Sequence, residues 1–241
     1  MLDKQQISEN FSRSARDYDR HALLQKVMAD DLLAKLRGLN PKAVLDIGCG
    51  TGYLTRKLAE MFPRAEVLGI DIASGMIEVA NRQKRSNLLF SVGDGEGVKG
   101  RGKYDLVVSN ASLQWMNAEK VFRGVHKILK PGGQFAFTTF GPRTLRELKE
   151  SGFRVNHFLS AEELKQIIGT KFAAMSVQSS IAGQKFKSVK ELICHFKEIG
   201  ANATHPGNKV DMEAFRKYRE KFGGKEFVPV SYEVICGLIL F

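Results

Sequence analysis

Cysteine is scarce. Cys49, Cys194 and Cys236 are odd in number and widely separated, with neither a CxxC pair nor an accompanying histidine cluster. That pattern suggests neither a disulfide framework nor a metal centre, and leaves the thiols as small buried hydrophobes. Long apolar runs are absent too. VICGLILF, near the end of the chain, is far short of the ~20 residues that a membrane-spanning helix needs, so no membrane association is expected. No charged leader with an apolar stretch and a small-residue cleavage site opens the chain, which makes the cytoplasm the expected location. Internal repeats and low-complexity segments are also missing.

What is present is an ordinary globular balance, 43% hydrophobic and 26% charged, which argues against disorder. A length of 241 residues suits a single well-buried domain spanning 1–241. Lysine and arginine number 37 against 26 acids, a net charge of +11, and such an excess favours an acidic partner: nucleic acid, anionic lipid or an acidic protein. The cations are spread along the chain, so a plain solvated surface accounts for them equally well.

Strand-like runs alternate with helical spacings. AVLDIG (43–48), AEVLGID (65–71), LLFSVGD (88–94), YDLVVSN (104–110) and QFAFTTFG (134–141) are short, rich in β-branched or aromatic residues and bounded by Gly, Asp or Pro. Between them Leu54, Leu58 and Met61, then Met76, Ile77 and Ala80, then Val121, Val125 and Leu129 repeat with helical period. Near-continuous apolar strands separated by helices imply an α/β, Rossmann-like parallel sheet covered on both faces. LKPGG (129–133) reads as a helix stop before the fifth strand. Beyond Gly141 the spacing predicts a helix at about 142–151, a helix capped by Ser160 with Glu163 completing a capping box, and a strand at FAAMSVQSSI. Two further helices follow, in a helical insertion at 183–226, and then a last strand, VPVSYEVICGLILF. One sheet of about seven strands thus accounts for the chain, with residues 1–37 preceding a core at 40–141.

In VLDIGCGTGYL, Gly48, Gly50 and Gly52 end a strand and open a helix, where a tight turn lets backbone approach a ligand. Asp46 stands just before them, placed for a cationic or amino group rather than a phosphate. Asp71 ends the second strand 23 residues after Gly48, where an acid receives ribose hydroxyls. Asp94, flanked by Gly95 and Glu96, is positioned to accept from an adenine amino group. Parallel strands bring their C-terminal ends to one edge, so the three acids converge there; strand-end Asp residues also cap following helices, and for Asp94 alone that reading competes.

Through VLDIGCGTGYL, GIDIASGMIEVA, SVGDGEG, YDLVVSNASLQW and LKPGGQFAFTTF the chain resembles the class I S-adenosylmethionine-dependent methyltransferases over roughly residues 40–141. The resemblance implies a seven-stranded sheet with an antiparallel last strand, and S-adenosyl-L-methionine as cofactor, leaving S-adenosyl-L-homocysteine. It implies that Asp46, Gly48, Cys49 and Gly50 surround the methionine end. Asp71, Ile72 and Met76 would meet the ribose and adenine, with Gly93, Asp94, Gly95 and Glu96 at the adenine edge. Asn110 and Leu113 would lie along the sulfonium side. A dehydrogenase would carry GxGxxG, whereas GCGTGY places its third Gly one position early.

After the fourth strand, SNASLQW lacks the prolines of amide- and adenine-methylating enzymes, and neither a cytosine-methylating cysteine signature nor a metal-binding acid and histidine cluster is seen. Small-molecule or acyl methylation remains. If FSRSARDYDRHA is helical, Phe11, Ala15, Tyr18 and Ala22 form one stripe with His21 beside it: plain packing, or a lid over the cofactor edge. Together with FGPRTLREL and VPVSYEV, this segment resembles the malonyl-acyl-carrier-protein O-methyltransferases of biotin synthesis nearly end to end. That resemblance implies methyl transfer to the free carboxylate of a malonyl thioester, carried by acyl carrier protein or coenzyme A. An ionised carboxylate needs orientation and dryness rather than a general base. Arg143 is the expected carboxylate ligand because its planar fork offers two donors. Tyr18 and His21 are expected to assist it, and Phe11, Gln114 and Trp115 to line the substrate side. An acidic carrier protein would suit the +11 charge, with KFKSVKELICHFK and FRKYREKFGGK as its dock. The competing readings are another small-molecule methyltransferase, acting on a carboxylate metabolite or quinone precursor, a nucleic-acid-modifying enzyme supported by charge alone, and a non-catalytic cofactor-binding scaffold.

Overall fold

Strands β1 (Ala43–Ile47), β2 (Glu66–Asp71), β3 (Leu88–Val92), β4 (Tyr104–Asn110), β5 (Leu129–Phe140), β6 (Ala174–Phe186) and β7 (Val228–Leu240) form one sheet in the order β3-β2-β1-β4-β5-β7-β6. The computed structural model describes residues 3–83, 85–153, 155–169, 172, 174–201, 212–222 and 227–241. β1 to β5 run parallel, and β7 is antiparallel to both β5 and β6, so the last strand is reversed as expected. The chain starts at the centre with β1, moves outward to β2 and β3, then returns to β4 on the other side of β1. A topological switch point therefore lies between β1 and β4, where sheets of this kind hold ligands at the strands' carboxyl ends.

Successive residues in a strand face opposite sides, and both sides of this sheet are apolar. Leu45, Val107, Phe135 and Phe137 pack under helices α6 (Ala118–Ile128) and α8 (Ala161–Ile168) through Val121, Phe122, Val125 and Leu164. Val44, Val67, Leu106, Val108 and Ala136 pack under α3 (Leu23–Lys35) and α4 (Tyr53–Met61) through Leu32, Leu33, Leu54 and Leu58. A third cluster joins Phe140, Tyr232 and Val230 to α9 (Val189–Glu198) and α10 (Met212–Phe222) by way of Leu192, Tyr218 and Phe222. This cluster seats the helical insertion, which begins after β6 ends at Phe186 rather than at 183, because the strand continues five residues past the SSI of the expected segment.

Other boundaries also differ from the sequence reading. LKPGG stops α6 at Ile128 but belongs to β5, Leu129 pairing with Tyr104 across a register shift. The helix expected at 142–151 is α7 (Arg146–Glu150) alone, because Leu145 adopts φ 57° and breaks the turn before it. The Ser160–Glu163 capping box opens α8 as expected. Residues 11–22 are not one helix: α1 (Lys4–Ser14) ends at a turn over 15–17 and α2 (Tyr18–His21) follows before α3. Phe11, Ala15 and Tyr18 nevertheless share a cluster with Ala73 and Met76, the latter two from the start of α5 (Ser74–Ala80) and its preceding residue.

Gly237 stands opposite Phe137 in the β5–β7 register, and a Cβ there would overlap the Phe137 ring. Phe137 is fully buried. Gly237→Ala is therefore expected to destabilise the fold by about 1–3 kcal/mol, the usual cost of overpacking a filled core. Scanning calorimetry reads this as a lowered midpoint; an unchanged midpoint would show that the ring can move aside.

Candidate active site

Two adjoining cavities sit at the switch point, one of about 680 Å³ and one of about 430 Å³, and Tyr18, Gly48 and Asn110 line both. The larger is walled by Asp71, Ile72 and Met76 after β2, by Gly93, Asp94 and Gly95 after β3, and by Trp115 after β4. The smaller is walled by Asp46, Cys49 and Thr51 around the glycine loop, with Asp19, Gln25 and Lys26 from the N-terminal helices.

The glycine loop is held by Asp71, whose Oδ2 accepts from Gly50 N–H at 2.9 Å while Oδ1 accepts from Ala73 N–H at 2.8 Å. Gly48 N–H and Cys49 N–H both donate to Ile70 O. Gly48 has φ 72°, and a Cβ on it would run into Ser112; the backbone leaves a cradle that only glycine keeps open. Gly95 is similar, since a Cβ there would meet Ile47 and Met116. On the β4 side Ser109 and Ser112 hydroxyls both donate to Ile47 O at 3.0 Å, and Ala111 adopts φ 49° with its N–H on Thr138 O.

Asp46 is 1% exposed; its Oδ2 accepts from Thr55 Oγ1 at 2.7 Å, and its Oδ1 has no partner. Burial, opposed by the Thr55 hydrogen bond and reinforced by the charge of Asp71, pushes its carboxyl up to about 7. Burial also raises Asp71, against the two backbone donors. Burial first, then Asp71 and Asp46, drives the Cys49 thiol up, so it stays protonated and is no nucleophile. An orphaned buried acceptor beside a glycine cradle suits an ammonium group, and Lys26 in the same cavity suits a carboxylate, which together are the two ends of an amino acid.

The N-terminal helices cover the larger cavity. Lys4, Ile7 and Phe11, on one face of α1, line it. Ser8 Oγ donates to Ile72 O at 3.0 Å, and Gly75 N–H donates to Ser12 Oγ at 3.2 Å. Lys4 Nζ lies 2.7 Å from Asp94 Oδ2 and 2.9 Å from Glu96 Oε2. Phe11 meets Trp115 edge-on at 5.4 Å and Tyr18 at 6.4 Å.

The structure thus brings together Phe11, Tyr18, Asp46, Gly48, Cys49, Asp71, Ile72, Met76, Gly93, Asp94, Gly95, Asn110 and Trp115 at the cavity walls. Others stand elsewhere. Gly50 lines neither cavity and serves by its N–H on Asp71. Leu113 is 3% exposed in the core under α6, and Ala111, Ser112 and Met116 take the place expected for it. Gln114 is used up in the turn, donating to Ala111 O and accepting from Thr139 Oγ1. Glu96 faces Lys4, Lys120 and the Asn117 N–H; against burial, Lys4 and the Asn117 N–H hold its carboxyl below the usual range. His21 turns to the insertion, its Nδ1 2.9 Å from Glu198. Arg143 lines neither cavity: its guanidinium is 2.8 Å from Glu233 Oε1, and its N–H donates to Oε2 of the same carboxylate. Asn110 reaches the site, but its amide already joins Gln25 O to Thr138 Oγ1.

Sequence reasoning missed Lys4, Ile7, Asp19, Lys26, Thr51, Ser112 and Met116. Lys4 and Ile7 carried a signal, since they fall seven and four residues before Phe11 on one helical face. Asp19 and Lys26 are tied to each other and to the loop only in three dimensions: Thr51 Oγ1 donates to Asp19 Oδ1 at 2.7 Å, and Lys26 Nζ to Asp19 O. Among the described residues no group of three or more His, Cys, Asp or Glu is placed to hold a metal, and no helix is long and apolar enough to cross a membrane.

A family model described as "Methyltransferase domain" matches residues 40–204. Together with the reversed seven-stranded sheet and the acid-lined glycine loop, it defines the chain as a class I S-adenosylmethionine-dependent methyltransferase. The chain is 36% identical over 266 residues to a malonyl-[acyl-carrier protein] O-methyltransferase of Acetivibrio thermocellus, covering 98% of this chain and 93% of the relative. It is 32% identical to malonyl-[acyl-carrier protein] O-methyltransferase 1 of Ilyobacter polytropus, covering 98% and 94%. It belongs to the malonyl-[acyl-carrier protein] O-methyltransferase family. Among solved structures, YcgJ of Bacillus subtilis superposes with TM-score 0.62 at 15% identity, covering 88% of this chain and 97% of that one. Phosphoethanolamine N-methyltransferase 2 of Haemonchus contortus, solved with S-adenosylhomocysteine, has TM-score 0.62 at 18% identity, covering 95% and 57%. These two share the fold.

Asp46 sets the pH dependence. Unfolded, it titrates at its ordinary 3.8; folded, at about 7. A raised carboxyl favours the folded state fully below pH 3.8, and that contribution is lost as pH rises through about 7. Asp46→Asn is neutral throughout, so its thermal midpoint should exceed that of the native chain at pH 8 and equal it more closely at pH 5. S-adenosylhomocysteine affinity at pH 8, read by calorimetry, should fall by about 10-fold or more through loss of a charged hydrogen bond. Equal affinity in the variant would remove Asp46 from cofactor binding.

Proposed function

We propose that the chain transfers the methyl group of S-adenosyl-L-methionine to the free carboxylate of a malonyl thioester on acyl carrier protein, in the cytoplasm, as a step of biotin synthesis. The observation that carries this reading is the extent of the similarity. It covers 98% of the chain in relatives named for that reaction, and so takes in the N-terminal helices and the insertion along with the cofactor half. When bound, the cofactor supplies an electrophilic methyl on a sulfonium, and the chain's own residues bind, orient and exclude water.

A carboxylate with a pKa far below neutrality is already the nucleophile, so no proton has to be removed. Tyr18 is best placed to orient it. The residue lines both cavities, its hydroxyl makes no hydrogen bond to a described residue, and burial, then Asp71 and Asp19, push its pKa up so that it remains a donor. Phe11 and Trp115 supply dry walls beside it. Asp46, Lys26 and Asp71 are assigned to the cofactor, with Asp94 at the adenine edge.

Arg143 loses the role that its position in the sequence suggested. With Glu233 neutralising it, a guanidinium outside the cavities offers a thioester carboxylate little field. Tyr18→Phe is expected to lower kcat by about 10-fold to 100-fold, the range for a lost orienting contact, while cofactor affinity changes less than threefold. Arg143→Ala is expected to stay within about threefold of the native kcat. Methyl transfer from labelled S-adenosylmethionine to malonyl-coenzyme A measures both, and the reverse ranking would restore Arg143 as the carboxylate ligand.

The carrier reading draws on the insertion. Lys187, Lys190 and Lys197 around α9 and Arg219 on α10 are exposed, and their side-chain cations pair with no acid among the described residues. A basic face of this kind speeds encounter with an acidic partner. The double variant Lys190→Glu/Lys197→Glu should raise KM for the carrier-linked substrate about 10-fold and leave that for malonyl-coenzyme A within about twofold. Equal rises would sink the dock.

A further inference from the structure

We propose that Glu198, the last residue of α9, is a positioning residue for methyl transfer: it holds His21, and through α2 sets where Tyr18 stands. The need for such a holder is local. α2 has four residues and no side-chain cap from Asp17, and of its side chains only the partly buried Tyr18 ring joins a hydrophobic cluster. A helix that short has no stability of its own, so its place is set by its tethers.

On one side Asp19 takes the Thr51 hydroxyl of the glycine loop at 2.7 Å and, through its carbonyl, the Lys26 ammonium. On the other side His21 Nδ1 meets Glu198 Oε2 at 2.9 Å. Tyr18 shares this single turn, one residue before Asp19 and three before His21. Removing the Glu198 tie leaves α2 held by the cofactor side, by the packing of Tyr18 and by its run through buried Ala22 into α3, with nothing fixing its His21 face.

The insertion end that carries Glu198 is itself firm. Ile199 N–H donates to His195 O, Gly200 N–H to Lys197 O and Ala201 N–H to Phe196 O, closing the helix with Gly200 at φ 68°. Val189 and Leu192 bury α9 in the cluster beneath it. The same end also braces α1: a Cβ on Gly200 would lie 2.8 Å from Ser14 Oγ and 3.0 Å from Phe11 Cδ1. Phe11 in turn stands against Trp115 at the cavity wall. The insertion therefore touches the cover of the site at two points, and both lead to residues lining the cavity.

Glu198 contacts neither cavity, so its effect on turnover must pass through placement of Tyr18 and Phe11. A half-exposed polar contact of this kind contributes little to global stability, which separates this role from a merely structural one. The proposal rests on the transferase reading for its kinetic readout only. Trp115, the single tryptophan, reports the cover directly by its emission.

The experiment compares the native chain, Glu198→Gln, Glu198→Asp and the swapped pair His21→Glu/Glu198→His. Glu198→Gln should lower kcat for malonyl-coenzyme A about 10-fold, as small misplacements of an orienting group do. The thermal midpoint and the S-adenosylhomocysteine dissociation constant should be nearly unchanged, and the emission change of Trp115 on adding S-adenosylhomocysteine should be at least halved. Glu198→Asp and the swapped pair should each recover most of the kcat and of the emission change. A Glu198→Gln variant with native turnover and native emission change overturns the proposal, and so does one whose cofactor affinity and midpoint fall together with turnover. If the native chain methylates no malonyl thioester, the function reading fails, and the Trp115 emission of the four proteins decides the positioning role alone.

Discussion

The site depends on one carboxylate. Asp71 ends β2 and accepts a backbone N–H from each of two neighbours, Gly50 in the loop after β1 and Ala73 at the start of α5. Without those two hydrogen bonds the glycine loop would have a turn but no fixed relation to the next strand. The tie also explains why an acid can be so deeply placed: two backbone donors compensate much of the desolvation that raises its pKa. From that fixed corner the remaining elements take their positions, because α5 carries Met76 under the cavity and receives α1 on its other side, where Gly75 lets the Ser12 backbone come close.

The cover is built from weak pieces that share one surface. Ile7 and Ala15 are buried, Phe11 stacks edge-on against Trp115, and three polar ties from Lys4, Ser8 and Ser12 reach the ends of β2 and β3 and the start of α5. Each polar tie alone is worth about 1 kcal/mol or less in an exposed setting. A cover held by several such ties can seat firmly and still lift as a unit. Lys4 is the informative tie, since it joins the cover to Asp94, itself a cavity residue.

The single parallel-cored sheet and the alternation of its strands with helices were legible because near-continuous apolar strands and glycine-bounded ends are local signals, and the reversed last strand came from the family resemblance. Also legible was the capping box at Ser160, where two side chains three residues apart decide the matter. Asp46, Asp71 and Asp94 were legible as a set because parallel strands send equivalent ends to one edge. What failed was direction. Arg143 and Glu96 lie at the predicted edge, yet each is drawn away by an opposite charge remote in sequence, Glu233 and Lys4. Gln114 and Leu113 sit on the right turn, but a 3-10 turn at Leu113–Trp115 sends one inward and ties the other to backbone. The break at 15–17 was hidden because Phe11, Ala15 and Tyr18 keep a common face across it; the pattern survives a kink that the spacing alone cannot register.

Charge explains why the substrate side uses so few ions. Asp46, Asp71, Asp94 and Asp19 all border the cavities, a field that suits a cofactor bearing an ammonium and a sulfonium and opposes an incoming carboxylate. Two features limit that opposition. Asp46 titrates at about 7, so much of its charge appears only when a cation is there to meet it, and Asp94 is neutralised by Lys4. A strong cation in the reacting region would solve the repulsion at the expense of the nucleophile, because a fully paired carboxylate oxygen has less electron density to offer. On the proposed reading, a neutral hydroxyl such as Tyr18, with Phe11 and Trp115 beside it, would orient an anion without quenching it. Arg143 is held outside the cavities by the buried Glu233, so on this reading its charge stays away from the nucleophile.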